Sequence, residues 1–110
     1  MKIKFILLVP LRYNDGTEVS AETLQSIDDD LFILAGGYTV AGEVEGAWKM
    51  DDGTRQVDRC AQYWIVIDDD LIEELKALVS GLASLLGQEA MYLERVDGFV
   101  EFVEPPPDED

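Results

Sequence analysis

The sequence predicts an α+β, ferredoxin-like βαββαβ sandwich: an antiparallel sheet with two helices on one face and a short C-terminal β-hairpin extension. Three observations carry this. Strand-like apolar runs and stretches at helical spacing follow one another in the order strand, helix, strand, strand, helix, strand. Glycine-bearing turn signals separate them. The two runs that would lie in the middle of such a sheet are apolar on both faces, as central strands are.

Residues 3–9 are apolar except for Lys4 and form the first strand. Tyr13-Asn14-Asp15-Gly16 is a turn. Ser20 stands at a helix N-cap with Glu22 in the first turn, and Leu24, Ile27, Leu31 and Leu34 then share one helical face. Gly36-Gly37 ends that helix, because glycine takes the left-handed conformation without strain. A long strand over 38–50 is interrupted at Gly42 and Gly46, where bulges or close backbone contacts are expected. Asp51-Asp52-Gly53 turns the chain into a return strand over 55–67. Asp70 and Glu73 are spaced as a capping box before a second helix, whose stripe runs through Ile72, Leu75, Val79, Leu82 and Leu86 to Gly87. A strand at 89–96, a turn at Asp97-Gly98 and a last strand at 99–103 complete the pattern. Residues 1–104 are thus expected to form one domain, with 105–110 a disordered tail of three prolines and three acidic residues.

Composition narrows function mainly by exclusion. The chain of 110 residues has 24 acidic and 8 basic residues, a formal charge of −16, no histidine and one cysteine. Lack of histidine removes Ser-His-Asp and Cys-His nucleophile systems and His-ligated metal sites. A single cysteine, Cys60, removes internal disulfides and Cys-cluster metal sites, and a lone thiol fits a reducing interior. Strong acidity opposes direct binding to nucleic acid phosphates or anionic membranes. The opening Lys2-to-Val9 run superficially suggests a secretion signal. It is short, a proline and polar residues follow at once, and a buried strand in a cytoplasmic protein is expected instead. No apolar stretch approaches the ~20 residues of a membrane span.

The uncovered sheet face is the most informative feature. If Ile6 and Leu8 of the first strand and Trp64 and Val66 of the return strand turn away from the helices, large apolar groups stand on it. The opposite choice of face exposes Ile3, Phe5, Leu7 and Val9 and is no better. Contiguous apolar patches of this kind are uncommon in soluble monomers. The expectation is a homodimer with sheets packed face to face across Ile6, Leu8, Trp64 and Val66. The other available cover is the chain's own tail or its 99–103 strand.

Several clusters invite a chemical reading. Tyr38, Trp48, Lys49, Arg59 and Tyr63 gather basic and aromatic character and are the candidate ligand-binding residues, with the basic groups placed to meet a carboxylate or phosphate and the rings to stack. Pairing of the arginines with nearby carboxylates and burial of the rings would equally account for them. Asp28-Asp29-Asp30 and Asp68-Asp69-Asp70 lack the spacing of a calcium loop, so no metal site is expected. The glycines do not form a phosphate-binding fingerprint, and no cofactor is implied. Beside Arg59, the Cys60 thiol could be acidified, yet no partner for catalysis is in sight. Glu89 with Tyr92 or Tyr38 could form an acid–base pair, although solvation of an edge strand explains these residues as well.

The run Asn14-Asp15-Gly16 to Val19-Ser20, then Gly36-Gly37-Tyr38-Thr39-Val40, Gly46-Ala47-Trp48, Asp52-Gly53 and Gln88-Glu89-Ala90 resembles a group of small bacterial proteins of unassigned function. Their pattern is an early DG..VS, a GG.T followed by G.W, and a late QE. The resemblance spans residues 5–103 and implies a ferredoxin-like domain, with no catalytic residues to carry over. The acidic tail departs from the pattern.

These readings converge on a non-enzymatic homodimeric domain that binds a protein partner or small ligand through its sheet face or hairpins. Two alternatives stand beside it. One is an acidic decoy that imitates nucleic acid before a DNA-binding protein. The other is a cofactor-free enzyme of the dimeric α+β barrel type, its pocket lined by Tyr38, Tyr63, Trp64 and Arg59.

Overall fold

The computed structural model describes residues 1–107, and 108–110 of the expected disordered tail lie outside the described residues. Its elements are β1 (Lys2–Pro10), α1 (Ala21–Ala35), β2 (Thr39–Lys49), β3 (Arg55–Asp68), α2 (Ile72–Leu85) and β4 (Leu93–Val96). The strands form one antiparallel sheet in the order β2-β3-β1-β4, the ferredoxin-like arrangement, with both helices on one side.

β1 and β3 are central, as their composition requires. Ile3, Phe5, Leu7 and Val9 lie opposite Ile67, Ile65, Tyr63 and Ala61, and all eight are buried. Side chains directly opposite share a face, so this ladder makes the floor of the core. Ile27 and Leu31 of α1 and Leu75, Val79 and Leu82 of α2 close it from above, with Leu86 just beyond α2 and Val19 from the loop before α1.

Local signals hold α1 in place. The Thr23 N–H donates to the Ser20 hydroxyl at 3.1 Å, and Gly36, at φ 77°, donates its N–H to the Phe32 carbonyl. The loops before α1 and after β2 are built alike. In Asp15-Gly16-Thr17 and in Asp52-Gly53-Thr54, one aspartate oxygen accepts from the threonine N–H at 2.9 Å and from its hydroxyl at 2.6 Å. These bonds hold both carboxyls below the ordinary aspartate range.

Four expectations need correction. The capping box of Asp70 and Glu73 does not form: a 3₁₀ turn over Asp69–Leu71 leads into α2, which moves the cap position to Leu71 with no side-chain hydrogen bond. The strand expected at 89–96 pairs only over Leu93–Val96. The C-terminal hairpin extension is absent, since residues 99–103 carry no strand. A return strand there would pair with a four-residue edge strand, which offers too few ladder bonds to hold a hairpin. Of the two glycines expected at bulges or close backbone contacts, Gly42 (φ 104°) sits at the register shift between Val40 and Glu43, while Gly46 pairs regularly opposite Asp58.

β1 ends opposite Cys60, so beyond that point β2 and β3 continue alone as a two-stranded ribbon to the turn after Lys49. Ribbon and C-terminal segment stretch the molecule to 67 × 29 × 25 Å, with a radius of gyration of 16.6 Å. A compact chain of this length would have a radius near ~13 Å.

Replacing Ile65, fully buried in the central strand, by alanine is expected to lower unfolding free energy by about 2–5 kcal/mol, whereas Ile33→Ala on the exposed side of α1 should shift it by under about 0.5 kcal/mol. Urea denaturation of the two variants checks this. Equal effects would contradict the assignment of faces.

Candidate functional site

The side of the sheet away from the helices is built from the alternate residues of the same strands. Ile6 lies opposite Trp64, Lys4 opposite Val66 and Leu8 opposite Gln62. From β4, Glu94 stands beside Ile6 and Val96 beside Lys4. No helix covers this face. Ile6, Leu8 and Val66 are half-buried, and Trp64 keeps 38% exposure. Lys4 and Trp64 are stacked, the ammonium 3.9 Å from the ring centroid, a cation–π contact that orders both groups. The Trp64 indole N–H donates to Gln62 at 3.0 Å, and Lys2 pairs with Asp68 at 3.2 Å. Lys2 and Lys4 therefore offset Asp68 and Glu94. In a chain of charge −16, this apolar face is locally balanced.

All four residues expected at a dimer contact, Ile6, Leu8, Trp64 and Val66, sit on this face. Sequence reasoning left open which alternate set the helices cover. A signal was present, since Lys2 and Lys4 share their face with Ile6 and Leu8, and a lysine is almost never fully buried.

The five candidate ligand-binding residues do not converge. Tyr63 is buried beneath α1 and donates its hydroxyl to Asp28 at 2.5 Å. Tyr38 packs against it, ring centroids 5.8 Å apart at 58°. Arg59 lies at the root of the ribbon in an ion pair with Glu43. Lys49 and Trp48 are at the far end, opposite Arg55 and Gln56 and so on opposite faces. Eight ladder positions separate Tyr63 from the Arg55–Lys49 pair, about 26 Å at ~3.3 Å per residue. The set splits into a buried tyrosine pair and an exposed ribbon, with carboxylates already taking Tyr63 and Arg59. The lining proposed for an enzymatic pocket is divided too, because Tyr63 and Trp64 point to opposite sides of the sheet.

Burial, then the Asp28 carboxylate, pushes the Tyr63 phenol far above its ordinary value. Tyr38 is raised as well, by burial and by Asp28 and Asp29. Cys60 behaves opposite to the sequence expectation. Burial and Asp58 push its thiol up, since Arg59 points to the other face and is engaged by Glu43. Tyr92 donates to Glu94 at 2.6 Å rather than to Glu89. Among the described residues, no group of three or more Cys, Asp or Glu side chains could hold a metal ion, and no helix is long and apolar enough to cross a membrane.

Two grooves remain. One, of about 430 Å³, runs between the helices and is lined by Asp30, Ile33, Leu34 and Leu78. The other, of about 270 Å³, opens at the corner of the uncovered sheet face, between Ala35–Thr39, Trp64, Val66 and Phe102. Sequence reasoning missed this second groove, having assigned Phe102 to a paired strand.

No family model and no curated protein sequence matches the chain. Among solved structures it is similar to the divalent cation tolerance protein Cut A1 from Thermus thermophilus, with a TM-score of 0.66 and 13% identity over 93% of this chain and 88% of that one. It is also similar to a phage SAM lyase in complex with S-methyl-5'-thioadenosine, with a TM-score of 0.64 and 15% identity over 87% of this chain and 81% of that one. At such identities the likeness shows the ferredoxin-like fold alone.

Because the Tyr63 phenol is raised in the folded chain, its contribution to stability is fully present below its unfolded value of 10.0 and is lost as pH rises beyond it. Unfolding followed against pH should show a steep alkaline loss in the native chain and a shallower one in Tyr63→Phe. Identical slopes would contradict a phenol raised by burial and by Asp28.

Proposed function

We propose that this chain is a non-enzymatic, self-associating domain, most simply a two-fold homodimer, which engages a protein partner or small ligand through its sheet face or its β2–β3 ribbon. In this reading residues 1–104 act as one domain inside the cytoplasm. The observation that supports it best is the in-register group of Ile6, Leu8, Trp64 and Val66 on a face that no helix covers. Apolar area removed from water contributes about 25 cal/mol per Å². The face is also the natural meeting place for two copies. Two chains of charge −16 repel each other at most approaches, and here the lysines offset the carboxylates.

The ribbon supports the second half of the reading. Trp48, Met50 and Val57 are exposed on a two-stranded projection that contributes nothing to the core. Tryptophan is enriched among residues that dominate binding energy at protein contacts. The catalytic alternative has less support, because Trp64 lies on the opposite sheet face from Tyr63, and Tyr63 and Arg59 are engaged by carboxylates.

Sedimentation velocity at micromolar concentration tests the reading. The native chain should run as a dimer, and Trp64→Glu or Leu8→Glu should run as a monomer with an unchanged circular dichroism spectrum. Glu22→Gln on the helix side should leave association intact. A native chain that sediments as a monomer would remove the basis for the proposal.

A further inference from the structure

We propose that residues 99–104 form an arm that completes the contact with a second copy of this chain, Phe99, Phe102 and Val103 packing on that copy while Glu101 and Glu104 meet its Lys2 and Lys4. The inference rests on the self-association proposed above and goes beyond it in assigning a role to a segment outside the sheet.

The first observation is exposure. Phe99 is 90% exposed, Phe102 70% and Val103 87%, three large apolar side chains within five residues. The Phe-Val-Glu-Phe-Val run has strong strand propensity, and only Val100 is half-buried. Rings kept in water at this level contribute nothing to the fold.

Position is the second observation. Phe102 borders the corner groove together with Gly36, Gly37, Tyr38, Thr39, Trp64 and Val66. The arm is thus brought to the rim of the open face and forms one apolar surface with Trp64 and Val66. It rims the groove without filling it, leaving about 270 Å³ free.

Area is the third. Stable interfaces bury about 800 Å² on each partner. Three half-buried aliphatic residues and a tryptophan with 38% exposure fall well short of that. Large aromatic side chains bury about 150–250 Å² each, so two phenylalanines and a valine supply much of the deficit.

Charge permits this occupant. The chain has four lysines, and two of them, Lys2 and Lys4, stand on the open face. In a two-fold pair each apolar arm brings Glu101 and Glu104 toward the other copy's lysines, of which Lys4 holds no carboxylate partner among the described residues and Lys2 would be shared with Asp68. The chain's own face is covered only in part, since Phe102 borders the groove beside Trp64 and Val66 while Phe99 and Phe102 keep most of their surface in water.

The test uses the full chain. In sedimentation equilibrium, Phe99→Ser/Phe102→Ser should raise the dimer dissociation constant by about 30-fold or more, the range of an interface hot spot, without changing the circular dichroism spectrum. Lys4→Glu should also weaken the dimer, and adding Glu101→Lys should restore part of the loss. An unchanged constant in the double serine variant, with Trp64→Glu still monomeric, overturns the arm and leaves the open-face dimer standing. Tighter association of the serine variant overturns it too, by showing that the segment shields its own sheet. A native chain that never associates overturns both proposals.

Discussion

The antiparallel pairing of β1 with β3 is the constraint on which the rest of the molecule depends. Its register sets Ile3, Phe5, Leu7 and Val9 against Ile67, Ile65, Tyr63 and Ala61, and so places the core. Because side chains alternate, the same register sets Ile6 against Trp64 and Lys4 against Val66 on the opposite side. A slip of β1 by one residue would bury Lys4 beneath the helices and expose Leu7. Core and candidate contact face are two consequences of one ladder, and neither can change without the other.

The electrostatics follow from the same geometry. Carboxylates crowd the helix side, where Asp28 through Asp30 lie on α1 and Glu73 and Glu74 open α2. Half of the lysines lie on the open face, where one stacks on Trp64 and the other pairs with Asp68. Acidity disperses the molecule in most orientations, while one apolar, balanced face stays available. That division makes a specific contact compatible with a charge of −16.

Much of the fold was legible in the chain because its signals are local. Ser20 caps α1 through its hydroxyl, while Gly36 ends the helix and Gly53 turns the ribbon through a positive φ that few residues adopt. The strands at 3–9 and 55–67 were readable as central because both of their faces are apolar. What escaped depends on non-local partners. Phe-Val-Glu-Phe-Val has the composition of a strand, but β4 is too short to pair with it, and nothing local records the length of a neighbour. Asp70 and Glu73 have the spacing of a capping box, yet a 3₁₀ turn shifts the helix start past them. The ligand-binding set failed for a related reason. Tyr63 and Lys49 belong to neighbouring strands, but eight rungs of ladder lie between them, and Asp28 claims the tyrosine from a helix far away in sequence.

The ferredoxin-like sandwich leaves one sheet face without helices, and most of the questions about this protein concern what happens there. Native mass spectrometry of the unmodified chain at micromolar concentration addresses this most directly. The account predicts a principal species at twice the 12.3 kDa chain mass, dissociating on dilution. A spectrum holding only the single-chain mass at every concentration would contradict it.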